Sequence, residues 1–215
     1  MTARLRVGVI GLGAGTLAAY GRPGDDYRFY EIDADVVAIA GRYFRYLSDS
    51  KAATGIVLGD ARLSLEREPA QDFDVLAVDA FSGDAIPVHL MTREALQVML
   101  RHVKPEGAIA FHVTNRNLDL APVVAMLATE AGYEAILIAH RPAQPGPMSR
   151  SDWVIVTRSR ALLDDALIAS RRSEIAPIPG LEPWSDDFNN LLPVVRASAL
   201  VRLFTSALRP PPASP

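Results

Sequence analysis

Four carboxylates stand where separate apolar runs stop. Glu31 and Asp33 follow "YRFY", Asp60 follows "TGIVLG", and Asp79 follows "FDVLAV". Ahead of them Gly11, Gly13 and Gly15 sit in "VIGLGAGT", directly behind another apolar run. Glycines spaced in this way let a backbone lie against a nucleotide. The dinucleotide fingerprint is G-x-G-x-x-G, but the position of its third glycine is here Thr16, and the spacing is G-x-G-x-G. On the glycines alone, a dinucleotide and a nucleoside stand about equal. Glu31 fits a ribose in either case, since an acid about twenty residues on is expected for both. The other acids discriminate. If the apolar runs are strands of one open α/β sheet, their carboxyl ends meet at the crevice beside the switch point. A rim of acids repels a pyrophosphate. It suits an uncharged adenosine that carries a positive sulfur: one carboxylate accepts the ribose hydroxyls, another the adenine amino group, and the remaining field favours the sulfonium. Each carboxylate alone has a less favoured reading as a helix cap or a turn residue; four together point to a shared ligand. The expected co-substrate is S-adenosylmethionine or its decarboxylated form, with no metal.

The remaining polar residues are less organised. His102 and His140 have no companion at ligand spacing, which argues against a metal site. No G-x-S-x-G surrounds Ser64 or Ser82, so neither is expected as a nucleophile. His89, in "IPVHL", follows Asp79 closely enough to face an acceptor. His112 and Asn115 end a strand near the same crevice, where a structural role is favoured. Trp184, Asp186 and Asp187 are expected as a C-terminal lid or a docking surface, and Tyr43, Phe44 and Tyr46 as core or interface.

These residues need a scaffold, and the order of elements supplies one. "LRVGVIG", "YRFYEID", "TGIVLGD", "FDVLAVD" and "AIAFHVT" read as strands, and stretches with helical periodicity or caps separate them. Among the helices, "DADVVAIAGRYFRYL" places Val36, Val37, Ile39, Ala40, Tyr43, Phe44 and Leu47 at helical spacing, and Thr92 caps "REALQVMLRHV". "KPEG" reads as a turn into the fifth strand. "EAILIAHR" and "DWVIVTR" are joined by "PAQPGPMSRS", too short for a crossover helix, so they are expected as antiparallel neighbours. The alternation predicts a doubly wound, mostly parallel seven-stranded sheet whose last strand is antiparallel. Residues 1–160 form the nucleoside-binding α/β core, 161–208 a helical extension of the same domain, and 209–215 a disordered tail.

Composition bounds the partners. The chain has 215 residues, 49% hydrophobic and 22% charged, a balance suited to one folded domain. A formal charge of −3 gives no electrostatic case for nucleic acid. No uninterrupted apolar run is long enough to span a bilayer, and the first strand leaves no room for a signal peptide. There is no cysteine. The chain reads as a cytoplasmic domain.

The stretches "VIGLGAGT", "YEID", "VLGDAR", "FDVLAVDAFSGDAIPVHLMTREAL" and "LRHVKPEGAIAFHVTN" resemble, in order and spacing, the spermidine synthase-like branch of the class I S-adenosylmethionine-dependent methyltransferase (Rossmann-like) fold. "DAFSGDAIPVHL" and "WSDDFNNLLPVV" look most like the synthase-like domain fused behind membrane segments in some bacterial proteins. The resemblance implies that Glu31 holds the ribose, that Asp60 with Ala61 beside it holds the adenine, and that Asp79 is the base for an attacking amine. It implies aminopropyl transfer from decarboxylated S-adenosylmethionine to a small-molecule amine, and a homodimer. The chain departs from that pattern at Ala14, where true synthases carry an aspartate that binds the aminopropyl amine. It departs again at Ser82, where they carry a second acid for the diamine; Asp84 is the candidate substitute. Those enzymes also have an N-terminal β-domain, whereas this chain opens on the first nucleotide-fold strand. Ala14 favours methyl transfer as the competing reaction. The absent N-terminal domain favours a non-catalytic nucleoside-binding module as the third.

Overall fold

Strand β1 (Arg6–Ile10) lies between β2 (Asp26–Glu31) and β4 (Phe73–Val78), and pairs with both in parallel. That placement explains why its residues are apolar on both faces. The computed structural model describes residues 4–81, 86–142 and 150–197; Ser82, Asp84 and the tail 209–215 lie outside the described residues. With β3 (Ala53–Leu58), β5 (Val103–His112), β6 (Glu134–His140), β7 (Ser151–Thr157) and β8 (Arg172–Ser173), the sheet runs β3-β2-β1-β4-β5-β7-β6-β8. Strands β1 to β5 pair in parallel. β7 inserts between β5 and β6, antiparallel to each. The sheet has one strand more than the seven expected, because the two residues of β8 add an antiparallel edge to β6.

The expected turn at "KPEG" is absorbed into β5. Opposite Phe73 and Val75 the strand carries Val103 and Ala108, so the intervening residues bulge rather than end it. The helices are α1 (Ala34–Tyr43), α2 (Ala61–Arg67), α3 (Arg93–Leu100), α4 (Ala121–Glu130), α5 (Arg160–Leu163) and α6 (Ala166–Arg171). Between β1 and β2 the chain makes only a 3-10 turn, Thr16–Tyr20. Thr92 caps α3 as its sequence suggests, its hydroxyl accepting from Ala95 N–H at 3.2 Å. The 161–197 stretch is less helical than expected: beyond α5, α6 and β8 it carries only a 3-10 turn at Leu192–Val194.

Alternation along the strands sorts the core into two layers. Val7, Val9, Tyr27 and Phe29 pack with Ala40 of α1 on one face. Ile10, Tyr30, Leu76 and Val78 pack with α2, α3 and α4 on the other. The α1 layer is thin. Tyr43 is 68% exposed, and Phe44 and Tyr46 are also exposed, so none of these three aromatics is core. The helix ends at Tyr43, and only Leu47 of the following residues 44–49 packs back on this layer.

Trp184 is buried in the second layer and is neither lid nor docking surface. Its carbonyl accepts from Arg93 N–H at 2.9 Å. Asp186 beside it receives Arg62 Nη1 at 2.7 Å, Arg62 Nη2 at 2.5 Å and the Thr92 hydroxyl at 2.8 Å. The bidentate fork from Arg62 holds the Asp186 carboxyl below the usual range. Asp187 is exposed beside this clasp.

A second carboxylate fixes the start of the sheet. Buried Asp25 accepts from Arg22 Nε at 2.9 Å, from Leu5 N–H at 2.9 Å and from Arg22 N–H at 3.0 Å. The Arg22 side chain first, and the Leu5 amide next, hold its pKa down at about 2. An unfolded aspartate titrates at about 3.9. The stabilisation is therefore complete above about pH 4 and disappears as pH falls toward 2. Asp25→Asn should flatten the acid limb of the Tm–pH profile in that window, and an unchanged limb would remove Asp25 from it.

Candidate functional site

Each strand around the switch point makes one further backbone bond before the chain turns away. Gly11 N–H donates to Tyr30 O, Asp79 N–H to Ile10 O, and Gly59 N–H to Glu31 O, each at 2.8 Å. The ends of β1 to β4 are thereby locked level, and the acids that follow them share one cleft of about 680 Å³. Gly11, Gly13, Glu31, Asp33, Asp60, Ala61, Asp79, Phe81 and His89 are among its lining residues. Gly15 is buried at the start of the 3-10 turn and does not line it. A larger groove, about 1030 Å³, runs between α4, β6 and residues 172–181 and holds none of the strand-end acids.

The glycine turn has two parts with different physical demands. Gly11 has φ +95°, and a Cβ there would lie 2.5 Å from the Asp79 carbonyl oxygen. Gly13 has φ +53°, and a Cβ there would meet nothing within 4 Å. The first glycine lets two strand ends approach; the second leaves open space over the cleft. Gly11→Ala should cost about 1–3 kcal/mol in backbone strain, with the carbonyl clash in addition. Gly13→Ala should cost about 1–2 kcal/mol in stability, yet weaken nucleoside binding, because its methyl occupies the cradle. Paired thermal melts and calorimetry on the two variants check this, and equal effects of both on binding and Tm would contradict it.

Glu31 is buried, and both of its oxygens are anchored. Oε2 accepts from Leu12 N–H at 2.9 Å and Oε1 from Asp33 N–H at 3.0 Å. A carboxylate offers about four lone-pair sites, so two hydroxyls can still be accepted on the cleft side. Asp33 caps α1, accepting from Asp35 N–H at 2.8 Å. Asp60 caps α2 through Oδ1, which accepts from Leu63 N–H at 2.8 Å. Its Oδ2 lies 3.2 Å from His89 Nε2. His89 therefore stands beside Asp60 and lines the same cleft as Asp79. Tyr30 forms part of the wall, its hydroxyl donating to Glu68 Oε2 at 2.9 Å. Burial, and then Glu68, push that phenol well above its ordinary range.

Asp79 has a partner that the sequence reading left as structural. Val78 pairs with Phe111 across β4 and β5, and one residue further Asp79 Oδ1 meets His112 Nδ1 at 2.6 Å. The signal was present in the sequence: each of the two is the first polar residue after the apolar run of its strand. Only the register makes them neighbours. Asn115 is buried and closes a turn, its Oδ1 accepting from Asn117 N–H and Leu118 N–H at 2.7 and 2.6 Å. His102 is buried with Nε2 2.8 Å from Leu65 O, and burial pushes its pKa down. His140 is exposed at the end of β6, and the Ser64 hydroxyl donates to Asp60 O at the start of its own helix.

Strand order, the inserted antiparallel β7 and the cleft at the β1/β4 switch point define the class I methyltransferase fold, and the comparisons agree. The chain aligns with human methyltransferase-like protein 13, whose structure is in complex with SAH, at 18% identity with a TM-score of 0.61, covering 78% of each chain. It aligns with a probable spermidine synthase from Corynebacterium glutamicum at 18% identity with a TM-score of 0.56, covering 83% of this chain and 75% of that one. In sequence it is 36% identical over 109 residues to the polyamine aminopropyltransferase of Vibrio vulnificus, which takes in 48% of this chain. The chain spans 36% of that relative's length. No family model matches. The chain carries the class I methyltransferase fold and is similar, over about half of its length, to an aminopropyltransferase. No helix among the described residues is long and apolar enough to cross a membrane.

Proposed function

We propose that the chain transfers an aminopropyl group from decarboxylated S-adenosylmethionine to a small amine. The observation that carries this reading is one cleft holding Glu31, Asp60 and Asp79 beneath an open glycine turn. Likeness to an aminopropyltransferase over 48% of the chain supports it. Glu31 accepts the ribose hydroxyls. Asp60 accepts the adenine amino group, with Ala61 under the ring. The room over Gly13 admits a nucleoside, and the acids favour its positive sulfur.

Asp79 then has one task. An ammonium has no lone pair, so Asp79 takes a proton from it, and the freed nitrogen bonds to the propyl carbon. As the C–N bond forms, the C–S bond breaks and its electron pair stays on sulfur, leaving neutral methylthioadenosine. The sulfonium is already an activated leaving group, so orientation and charge supply the rest.

Methyl transfer from S-adenosylmethionine is the second reading, favoured by Ala14 in the turn where an aminopropyl-binding acid would stand. Incubation with each sulfonium nucleoside and putrescine separates the two. Release of methylthioadenosine supports the first and release of S-adenosylhomocysteine the second. Binding with no release across an amine panel leaves a nucleoside-binding module and defeats both.

A further inference from the structure

We infer that His112 is a positioning residue for Asp79, holding one carboxylate oxygen so that the other is presented to the acceptor; this rests on the reading of Asp79 given above. His112 does not line the cleft, while Asp79 does, so the imidazole stands behind the carboxylate. Its Nδ1 is 2.6 Å from Asp79 Oδ1. An ionised carboxylate only accepts, so Nδ1 carries the hydrogen and donates it. Among the described residues nothing reaches Nε2, which is buried. A proton there would be a buried donor without an acceptor, which favours the Nδ1–H tautomer over the other.

The imidazole is held from two sides. Trp153 of β7 stacks on it at 4.5 Å with planes 5° apart, and Phe81 meets it edge-on at 5.0 Å and 87°. Trp153 is the cross-strand partner of His112, and its indole N–H donates to the Ser151 hydroxyl at 2.9 Å. Ser151, Trp153, His112 and Asp79 thus form one line from an antiparallel strand to the carboxylate. The inserted β7 has a use here: it supplies the flat surface that fixes the ring. Among the described residues no second partner reaches the other Asp79 oxygen, which leaves one acceptor for one amine.

Two variants separate the donor from the packing. His112→Phe keeps an aromatic between Trp153 and Phe81 but removes the N–H. His112→Asn loses the stack but places an amide N–H where Nδ1 was. If His112 positions Asp79, His112→Phe should lower kcat for methylthioadenosine release by roughly 10- to 100-fold, the range expected of a misoriented reacting group. The KM for putrescine and the affinity for methylthioadenosine should stay within about threefold, as expected when the lost interaction acts in the transition state. His112→Asn should recover most of the rate. A near-normal His112→Phe, or equal losses in both variants, would overturn the inference. Imidazole 15N NMR of the unmodified protein gives a readout that needs no turnover: the Nδ1–H tautomer is expected, and its preference should vanish in Asp79→Ala. An Nε2–H tautomer, or no response to Asp79→Ala, overturns the pairing. A protein that releases neither nucleoside product, yet shows the Asp79-dependent tautomer, would defeat the transferase reading and leave His112 as the group that holds Asp79.

Discussion

Asp79→Asn is expected to lower aminopropyl transfer by about 10²- to 10⁴-fold, the range a positioned general base supplies, while methylthioadenosine binds within about twofold of the unaltered protein. Asparagine has nearly the same shape, and its amide oxygen can still accept from His112 Nδ1–H, which now contacts Oδ1 at 2.6 Å. The backbone bond from residue 79 N–H to Ile10 O does not depend on the side chain. The variant therefore removes basicity and charge and little else. Product release should be followed beside calorimetric binding of the nucleoside. Turnover within threefold of the original would strip Asp79 of its role. A parallel loss of nucleoside affinity would mean that the substitution had disturbed the glycine turn.

Glu31→Ala is expected to abolish nucleoside binding at ordinary concentrations. Two charge-assisted bonds to ribose hydroxyls, at roughly 1.5–3 kcal/mol each, correspond to at least about 100-fold in affinity. The same carboxylate accepts Leu12 N–H and Asp33 N–H. The truncation leaves those donors unpaired, so a fall in Tm should accompany the loss. Asp33→Ala makes a useful contrast. Asp33 is exposed and caps α1 through Asp35 N–H, so its loss should lower Tm modestly and affinity much less. Calorimetry with S-adenosylhomocysteine and methylthioadenosine reads both variants, and unchanged affinity in Glu31→Ala would remove the ribose contact.

Part of this site was legible in the sequence for a simple reason. In a parallel sheet the residue after each apolar run sits at the same edge, so Glu31, Asp60 and Asp79 can be placed together without knowing any pairing. The fold class was legible for a related reason, since a linker too short for a crossover forces β6 and β7 antiparallel. His112 needed more. Its meeting with Asp79 depends on the β4–β5 register, and that register includes the bulge at residues 104–107, which reads locally as a turn. Trp184 and Asp186 needed contacts with Arg62 and Thr92, 124 and 94 residues away from Asp186, which no local pattern encodes. Of the two roles expected for Tyr43, Phe44 and Tyr46, their exposure removes the core one. Helical spacing marks a face, but it cannot say that α1 ends at Tyr43.

The chain has two tryptophans, and their surroundings differ in a way that experiment can use. Trp184 is sealed in the interior, whereas Trp153 lies face to face with the imidazole next to Asp79. With Trp184→Phe, the remaining indole becomes a single emitter one ring away from the carboxylate. Its quantum yield would report events at that end of the cleft in real time, without a label.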